Sequence, residues 1–480
     1  MFFYKKKRFF RIFPCKKQIF PSKTSAILRF PGCKKSTGMI YLRRFRTTFK
    51  TEKIKKMRKN YLHLDFKGIS PLAPAWLQYL EHFHNLGFDG IILELDCKYA
   101  WKTWQGATLD HYSESDIKSM ISAAKNMNFE VSLLIQIQGH LEWALDKEKY
   151  ASLREKNFIN EICPCNPDAV QKIEEWIDEA IQLCPDAPYL HLGGDEVWHL
   201  CTCDKCKEHA KDAVDPKMAI YLEHARRCCE KIVKHGMRPM LWSDMFVSRK
   251  CYEPIKTLPG ETIIVNWSYH EKAPFPGLKE LQQTGYEIWG SPAIRCGWGP
   301  DYLSGIYDEK GVADRIANIK QWQQTGINLL NTVWGRPSSF NFLYPPYHCF
   351  ADAFAAAGRD GETWNAAGDD FFAVQTRQWR ELEKEYHQLQ QKGLLIFKMS
   401  TALNRVAKYI GRRPGLFCAD CMKPSEKLQE EIEQFRETLM DFFLQNGLSD
   451  AEEFIEERLA MLTPPMDPPE NPEREKSEEL

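Results

Sequence analysis

The sequence predicts a (β/α)8 TIM barrel with a C-terminal helical extension, and three observations carry that prediction. Eight short runs rich in Leu, Ile, Val and aromatic residues alternate with amphipathic stretches of helical period over about 270 residues, the size and order of such a barrel. Glycines fall where helices should end and strands begin. Two adjacent acids, Asp195 and Glu196, close one of the apolar runs, and the carboxyl ends of barrel strands are where this architecture keeps its chemistry.

The expected strands are, in order, Tyr61–Phe66, Gly90–Asp96, Glu130–Ile137, Tyr189–Leu192, Arg238–Trp242, Thr262–Trp267, Tyr286–Trp289 and Ile327–Val333. Helices are expected between them at Ala75–Leu86, Glu114–Asn126, Asp168–Leu183, Lys217–His235 and Val312–Thr325. The junctions Leu86-Gly87-Phe88, His235-Gly236-Met237 and Thr325-Gly326-Ile327 suit helix C-caps leading into strands. A doubly wound sheet is the competing arrangement, but no Gly-x-Gly-x-x-Gly follows a strand to support dinucleotide binding.

The barrel is expected over residues 59–360. Helical periodicity rich in Glu, Gln, Lys, Leu and Phe then marks an extension over 361–462, with helices at Trp379–Gln391, Ser400–Ile410 and Pro424–Gln445. The proline-rich acidic tail, 463–480, reads as disordered. The first 58 residues form a basic, Phe-rich leader without a clear period, and without an apolar run long enough for a secretory core or a membrane span. A targeting segment, a basic arm and translated upstream sequence compete for it, and a disordered, non-native or dispensable leader is the expected reading.

The chain has 480 residues and balances 65 Lys and Arg against 65 Asp and Glu. That zero hides two unlike parts. Residues 1–60 hold 20 of the basic residues and a single acid, Glu52, so residues 61–480 carry a balance of −19. An acidic body argues against nucleic acid as a partner. Sixteen cysteines are more than a chain of this size needs as staples. Cys201, Cys203 and Cys206 form the tightest cluster, with Cys163-Pro-Cys165 upstream and Cys418-x-x-Cys421 downstream. Cys203 and Cys206 have the spacing of half a zinc site, but no matching pair follows them at the usual distance. Structural thiols and a metal or redox clip on the loop after Glu196 both remain readings of this cluster.

The strand ends supply Asp65 and Lys67, Glu94 and Asp96, His140 and Glu142, Asp195 and Glu196, Trp242 and Asp244, Trp267 and Tyr269, Trp289 and Arg295, and Trp334 and Arg336. Four of the eight strands end in tryptophan. Indole walls above carboxylates suit a pyranose, whose C–H faces stack on aromatics while its hydroxyls require directional partners.

His191-Leu192-Gly193-Gly194-Asp195-Glu196 resembles the fourth-strand signature of the family 20 glycoside hydrolases, the β-N-acetylhexosaminidases. His63-Leu64-Asp65-Phe66-Lys67-Gly68, Gly139-His140-Leu141-Glu142, Leu241-Trp242-Ser243-Asp244-Met245 and Trp267-Ser268-Tyr269 are similar to the hexosaminidase D branch, and the likeness covers about residues 61–345. The resemblance implies an exo-acting, retaining hydrolase in which the substrate's 2-acetamido oxygen attacks the anomeric carbon and forms an oxazolinium ion. It assigns Glu196 as general acid and base, with burial expected to raise its pKa. Asp195 is the acceptor of the acetamido N–H and Tyr269 the donor to the acetamido oxygen. It further implies Trp242, Trp267 and Trp334 as walls, and Asp65, Lys67, His140, Asp244 and Arg336 around the sugar or the acid pair. His191 reads as a brace. The sequence departs from the wider family at Trp334-Gly335-Arg336, where many members carry Trp-x-Glu, and at Trp289-Gly290-Ser291-Pro292, which lacks Tyr-x-Asp. The choice between GlcNAc and GalNAc therefore stays open. No metal or organic cofactor is expected.

The implied partner is an N-acetylhexosamine-terminated glycan or glycoconjugate, acted on in the cytoplasm. Assembly is open, a homodimer included. Two other classes compete: a sugar-binding barrel without catalysis, which has no use for both Asp195 and Glu196, and a metal-dependent barrel hydrolase built on His63, His140 and His191.

Overall fold

The computed structural model describes residues 58–109, 111–270, 272–296, 309–336, 342–409, 426–460 and 462. The basic leader apart from Arg58, the acidic tail, Ile410, Cys418 and Cys421 lie outside the described residues.

Eight strands form a closed parallel sheet: β1 (Asn60–Asp65), β2 (Gly90–Glu94), β3 (Glu130–Leu134), β4 (Tyr189–His191), β5 (Arg238–Trp242), β6 (Ile263–Trp267), β7 (Glu287–Ser291) and β8 (Asn328–Val333). The ring closes where β8 pairs in parallel with β1 from Asn60↔Leu329 to Leu64↔Val333. A short strand, Ala293–Arg295, runs on from β7 and also pairs with β8. Each expected strand is present, with ends shifted by a few residues.

Period-two alternation explains why these runs form a barrel. Leu62, Leu64, Ile91, Leu93, Val131, Leu133, Leu241 and Ile264 face outward into the layer shared with the helices. Tyr61, Ile92, Leu134, Tyr189, Met240, Trp242, Val265, Trp289 and Leu330 fill the interior. Both faces are apolar, so both must be covered, and helices do this outside.

Those helices are α1 (Trp76–Asn85), α2 (Glu114–Asn126), α3 (Pro167–Leu183), α4 (Pro216–Lys234), α5 (Asp244–Arg249), α6 (Leu278–Gln282), α7 (Glu309–Gln324) and α8 (Ala351–Ala357). Their starts are written in the sequence. Ser113 and Asp116 form a capping box at α2. Asn166 and Asp215 cap α3 and α4, each followed by proline at the first helical turn. Gly87, Gly236 and Gly326 take left-handed φ of 77°, 79° and 74° at the expected helix-to-strand junctions.

Among the described residues, three helices follow the barrel: α9 (Phe371–Tyr409), α10 (Glu426–Gln445) and α11 (Ala451–Ala460). The two helices expected at Trp379–Gln391 and Ser400–Ile410 are one continuous helix over the described residues. Buried Arg458 joins α11 to α9 by donating Nη2 to both oxygens of Glu383 at 2.7 Å, with its guanidinium 4.1 Å from the Tyr386 ring centre. The turn between α10 and α11 reaches the barrel itself. Leu72 N donates to the Gly447 carbonyl at 2.7 Å, Ser449 N to the Ser70 carbonyl at 2.9 Å, and Lys98 pairs with Asp450. Beyond it, Arg336 Nη2 donates to Glu453 at 3.0 Å, and Leu343 N to Glu457 at 3.0 Å. The loops after β1, β2 and β8 are therefore held by the extension. No helix among the described residues is long and apolar enough to cross a membrane.

Candidate active site

The chain leaves the β ladder after His191 and turns sharply. Gly193 and Gly194 have φ of 59° and 80°, and Glu196 itself takes φ 50°, a conformation costly for a residue with a Cβ. Space is as restrictive as φ: a Cβ on Gly193 would meet the Gln136 side-chain oxygen at 1.9 Å, and one on Gly194 the Tyr221 hydroxyl at 2.6 Å. Tyr221, buried on α4, donates that hydroxyl to the Gly194 carbonyl at 2.7 Å. This turn answers the difficulty that neighbours on an extended strand point to opposite sides. It brings both carboxylates to one imidazole: His140 Nε2 lies 3.5 Å from Asp195 Oδ2 and 3.5 Å from Glu196 Oε2.

His140 comes from the loop after β3 and also holds a left-handed φ, 54°. Gly139 before it lets the two loops touch, because a Cβ there would sit 2.8 Å from the Asp195 carbonyl. Burial alone would discharge His140, but Asp195, Glu196 and Glu142 outweigh it and carry its pKa well above the ordinary imidazole value. The imidazolium thus ties the acid pair together. Asp195 is buried and its Oδ1 has no hydrogen-bond partner among the described residues, which leaves a buried acceptor unsatisfied beside His140. Glu196 keeps 28% of its side chain exposed, so the burial expected of it is not what the structure shows.

The desolvated carboxyl is Asp244 at the start of α5. It accepts from Glu196 N at 2.9 Å and from Trp267 Nε1 at 3.4 Å. Burial, and then the charges of Asp195 and Glu196, push it up to about 7. Between the ordinary carboxylate range and about 7, the folded protein holds a proton here that the unfolded chain has lost. The associated stability is complete below that ordinary range and is lost as pH rises through about 7. In an Asp244→Asn variant the fall in Tm between about pH 5 and about pH 8 should be shallower than in the parent, as thermal denaturation across that range would show; an unchanged slope would contradict the assignment.

Three of the four strand-end tryptophans converge. Trp242 lies in the barrel mouth with its ring 6.0 Å from that of Trp334 and 4.3 Å from His191. Trp267 stacks on Tyr269 at 5.1 Å, and Trp334 Nε1 donates to the Tyr269 hydroxyl at 3.1 Å. Burial raises the Tyr269 pKa well above that of a free phenol, so Tyr269 remains a proton-bearing donor. Trp289 is a correction to the four-wall picture. It packs against Tyr61 and Tyr189 at 5.1 and 5.5 Å inside the barrel, below the rim.

Asp65 and Lys67, expected around the sugar or the acid pair, are internal braces. Asp65 is fully buried and accepts from Lys67 N at 2.9 Å and Gly335 N at 2.8 Å. Lys67 Nζ lies 3.0 Å from Asp65, 2.8 Å from Glu94 and 3.4 Å from Asp96. His63 Nε2 meets the other Glu94 oxygen at 2.8 Å. Despite its burial, Glu94 is held below the usual carboxylate range by Lys67 and His63, whereas burial drives buried Asp96 well above it. The network supports Trp334, whose ring centre is 5.6 Å from Lys67 Nζ. Arg336, also expected at the sugar, pairs with Glu453 of α11. Arg295 is wholly internal, donating to the carbonyls of Trp334, Pro345 and Ile69.

His191 is the brace expected of it. Its Nδ1 accepts from Gly193 N at 3.0 Å, and burial holds its pKa well below the ordinary value. His63, His140 and His191 each serve a different partner, so they do not assemble the metal centre of the competing hydrolase. Sequence reasoning missed Tyr221 and Glu161. The latter accepts from Trp198 N and His199 N at 2.8 and 2.9 Å and holds the segment after Glu196. Neither carries a motif; only the folded loop shows their use.

A closed parallel barrel with an acid pair at the fourth strand defines a class, and sequence comparison supplies the family. Residues 92–327 match the glycosyl hydrolase family 20 catalytic domain, the family that the strand-end motifs resemble. Hexosaminidase D of Bos taurus is 29% identical over 310 residues, 59% of this chain and 86% of that protein. Hexosaminidase D of Homo sapiens is 25% identical over 278 residues, 55% of this chain and 55% of that protein. The chain thus spans about half the length of the human relative. Among solved structures, a β-N-acetylhexosaminidase from Bacteroides fragilis is similar at a TM-score of 0.48 and 16% identity, covering 68% of this chain and 71% of that one.

Proposed function

We propose that the chain is an exo-acting, retaining β-N-acetylhexosaminidase that removes terminal β-linked GlcNAc or GalNAc with the help of the substrate's own acetamido group. The observation that carries this reading is the buried Asp195 Oδ1, an acceptor without a partner among the described residues, beside a partly exposed second carboxyl at Glu196. A buried acceptor left unpaired costs about 1–3 kcal/mol, and an acetamido N–H would satisfy it.

In the reaction, Glu196 protonates the glycosidic oxygen as the acetamido oxygen attacks C1, and the aglycone leaves as an alcohol. Asp195 holds the acetamido N–H and stabilises the positive charge that spreads onto the ring formed. Tyr269 donates to the acetamido oxygen, and Trp242, Trp267 and Trp334 enclose the methyl group and the sugar face. Water then attacks C1 from the side the aglycone left, giving its proton to Glu196, and the amide is restored with retained configuration. His140 keeps the two acids in register. None of the twelve described cysteines forms a disulfide, which suits the cytoplasm as the working compartment.

The deciding measurement is a panel of aryl β-glycosides. The enzyme should hydrolyse the GlcNAc or GalNAc compound at least about 10³-fold faster than the plain glucoside, since the attacking group is then missing. Equal rates with and without the acetamido group would rule out assistance.

A further inference from the structure

We propose that Glu155, Cys163, Cys203 and Cys206 form a structural zinc site that clamps the loop after β4 to the loop after β3. Their four ligand atoms all lie within 4.8 Å of one another. Cys163 Sγ is 3.5 Å from Cys203 Sγ and 3.6 Å from Cys206 Sγ, and Cys206 Sγ is 3.3 Å from Glu155 Oε2. A tetrahedral ion with Zn–S bonds of about 2.3 Å sets sulfur atoms about 3.8 Å apart, and a thiolate and carboxylate oxygen about 3.5 Å apart. The observed edges are near those of that tetrahedron. They are far beyond the about 2.05 Å of a disulfide.

The surroundings are those of a built site. Glu155, Cys163 and Cys206 are buried, and Glu155 has no ion-pair partner among the described residues. Its other oxygen is already fixed, accepting from Thr202 N at 2.6 Å and Cys203 N at 2.7 Å. Cys206 N donates to Cys203 Sγ at 3.4 Å, the kind of outer hydrogen bond that orients and tunes a thiolate ligand. Three sulfurs and one oxygen in a closed tetrahedron select zinc among the divalent ions and leave no open position for substrate. The missing half of the Cys203-x-x-Cys206 pattern thus lies upstream, across the fold, and not downstream in sequence. Cys165, whose thiol also reaches Cys206, is the alternative fourth ligand.

Placement gives the clamp its purpose. Glu155 and Cys163 lie on and just after a two-stranded hairpin, Arg154–Glu155 with Phe158–Ile162, in the same loop that carries His140. Cys203 and Cys206 follow Glu196 by a few residues. The ion would hold together the two loops whose contact sets His140 against Asp195 and Glu196.

Elemental analysis of the full chain purified without chelator tests the site. About one zinc per chain is expected, and less than about 0.1 in the Cys203→Ser, Cys206→Ser double variant. After removal of the ion, cobalt should return the absorption of tetrahedral thiolate ligation, and zinc should raise the Tm of the stripped protein. Loss of the fourth-ligand signature in Glu155→Gln but not in Cys165→Ser confirms the ligand set, and the reverse result replaces Glu155 by Cys165. Wild-type protein that holds no zinc as purified and takes up neither ion would overturn the proposal, as would a Cys163–Cys203 disulfide found by mass spectrometry. These outcomes rest on the wild type, so a double variant that fails to fold does not blunt the test, and none depends on glycosidase activity.

Discussion

Glu196→Gln should lower kcat/KM by about 10³-fold on a β-N-acetylhexosaminide with a sugar or alkyl aglycone, about 4 kcal/mol of transition-state stabilisation. A glutamine keeps the shape and still offers its backbone N–H to Asp244, whose carboxyl holds that amide at 2.9 Å. What disappears is the proton. An aglycone such as dinitrophenol departs without one, so the first step on that substrate should lose far less. The second step then becomes limiting, because water has no base, and KM should fall along with kcat. Steady-state kinetics on the two substrates decide the matter. An equal loss on both would mean that Glu196 shapes the site and does not carry the proton.

Asp195→Asn should cost about 10²–10³-fold in kcat on acetamido sugars, the scale seen when a group aimed at developing charge is removed. The amide cannot present an anion to the oxazolinium ion, and its NH2 in place of Oδ1 would repel the acetamido N–H. The substitution also removes the first of the charges that sustain the His140 imidazolium. The alkaline side of the pH–rate profile should move to lower pH as well, because His140 then discharges at lower pH. Any slow background hydrolysis of a plain glucoside should be untouched. Retention of activity within about threefold on acetamido substrates would remove Asp195 from the mechanism.

Face was legible in the sequence and depth was not. Position at strand ends placed Trp242, Trp267, Trp289 and Trp334 around one pocket, and three of them meet there. Trp289 differs because β7 runs on to Ser291, which sinks the indole below the rim among Tyr61 and Tyr189. Charge at a strand end was ambiguous in the same way. Asp65 and Lys67 occupy the right place for sugar contacts, yet the loop after β1 folds them onto each other and onto Glu94, and neutralisation within the protein leaves no signature along the chain. Arg336 was misread because its partner, Glu453, comes from the extension. The acid pair was legible only together with the tryptophans at the other strand ends, because two glycines and two acids after an apolar run suit the capped first turn of a helix equally well.

The seating of the α10–α11 turn on the barrel has a bearing on how the molecule is made. Ser70, Lys98 and Arg336 meet Ser449, Asp450 and Glu453 at the mouth that carries the acids, yet those latter residues leave the ribosome more than a hundred positions after the last barrel strand. The eight-stranded ring can assemble during synthesis, but its working rim gains these supports only when translation has passed the 450s. Nascent chains stalled before that point should bind zinc and lack a settled mouth, and any shortened version cut at the end of the ring should inherit the same defect.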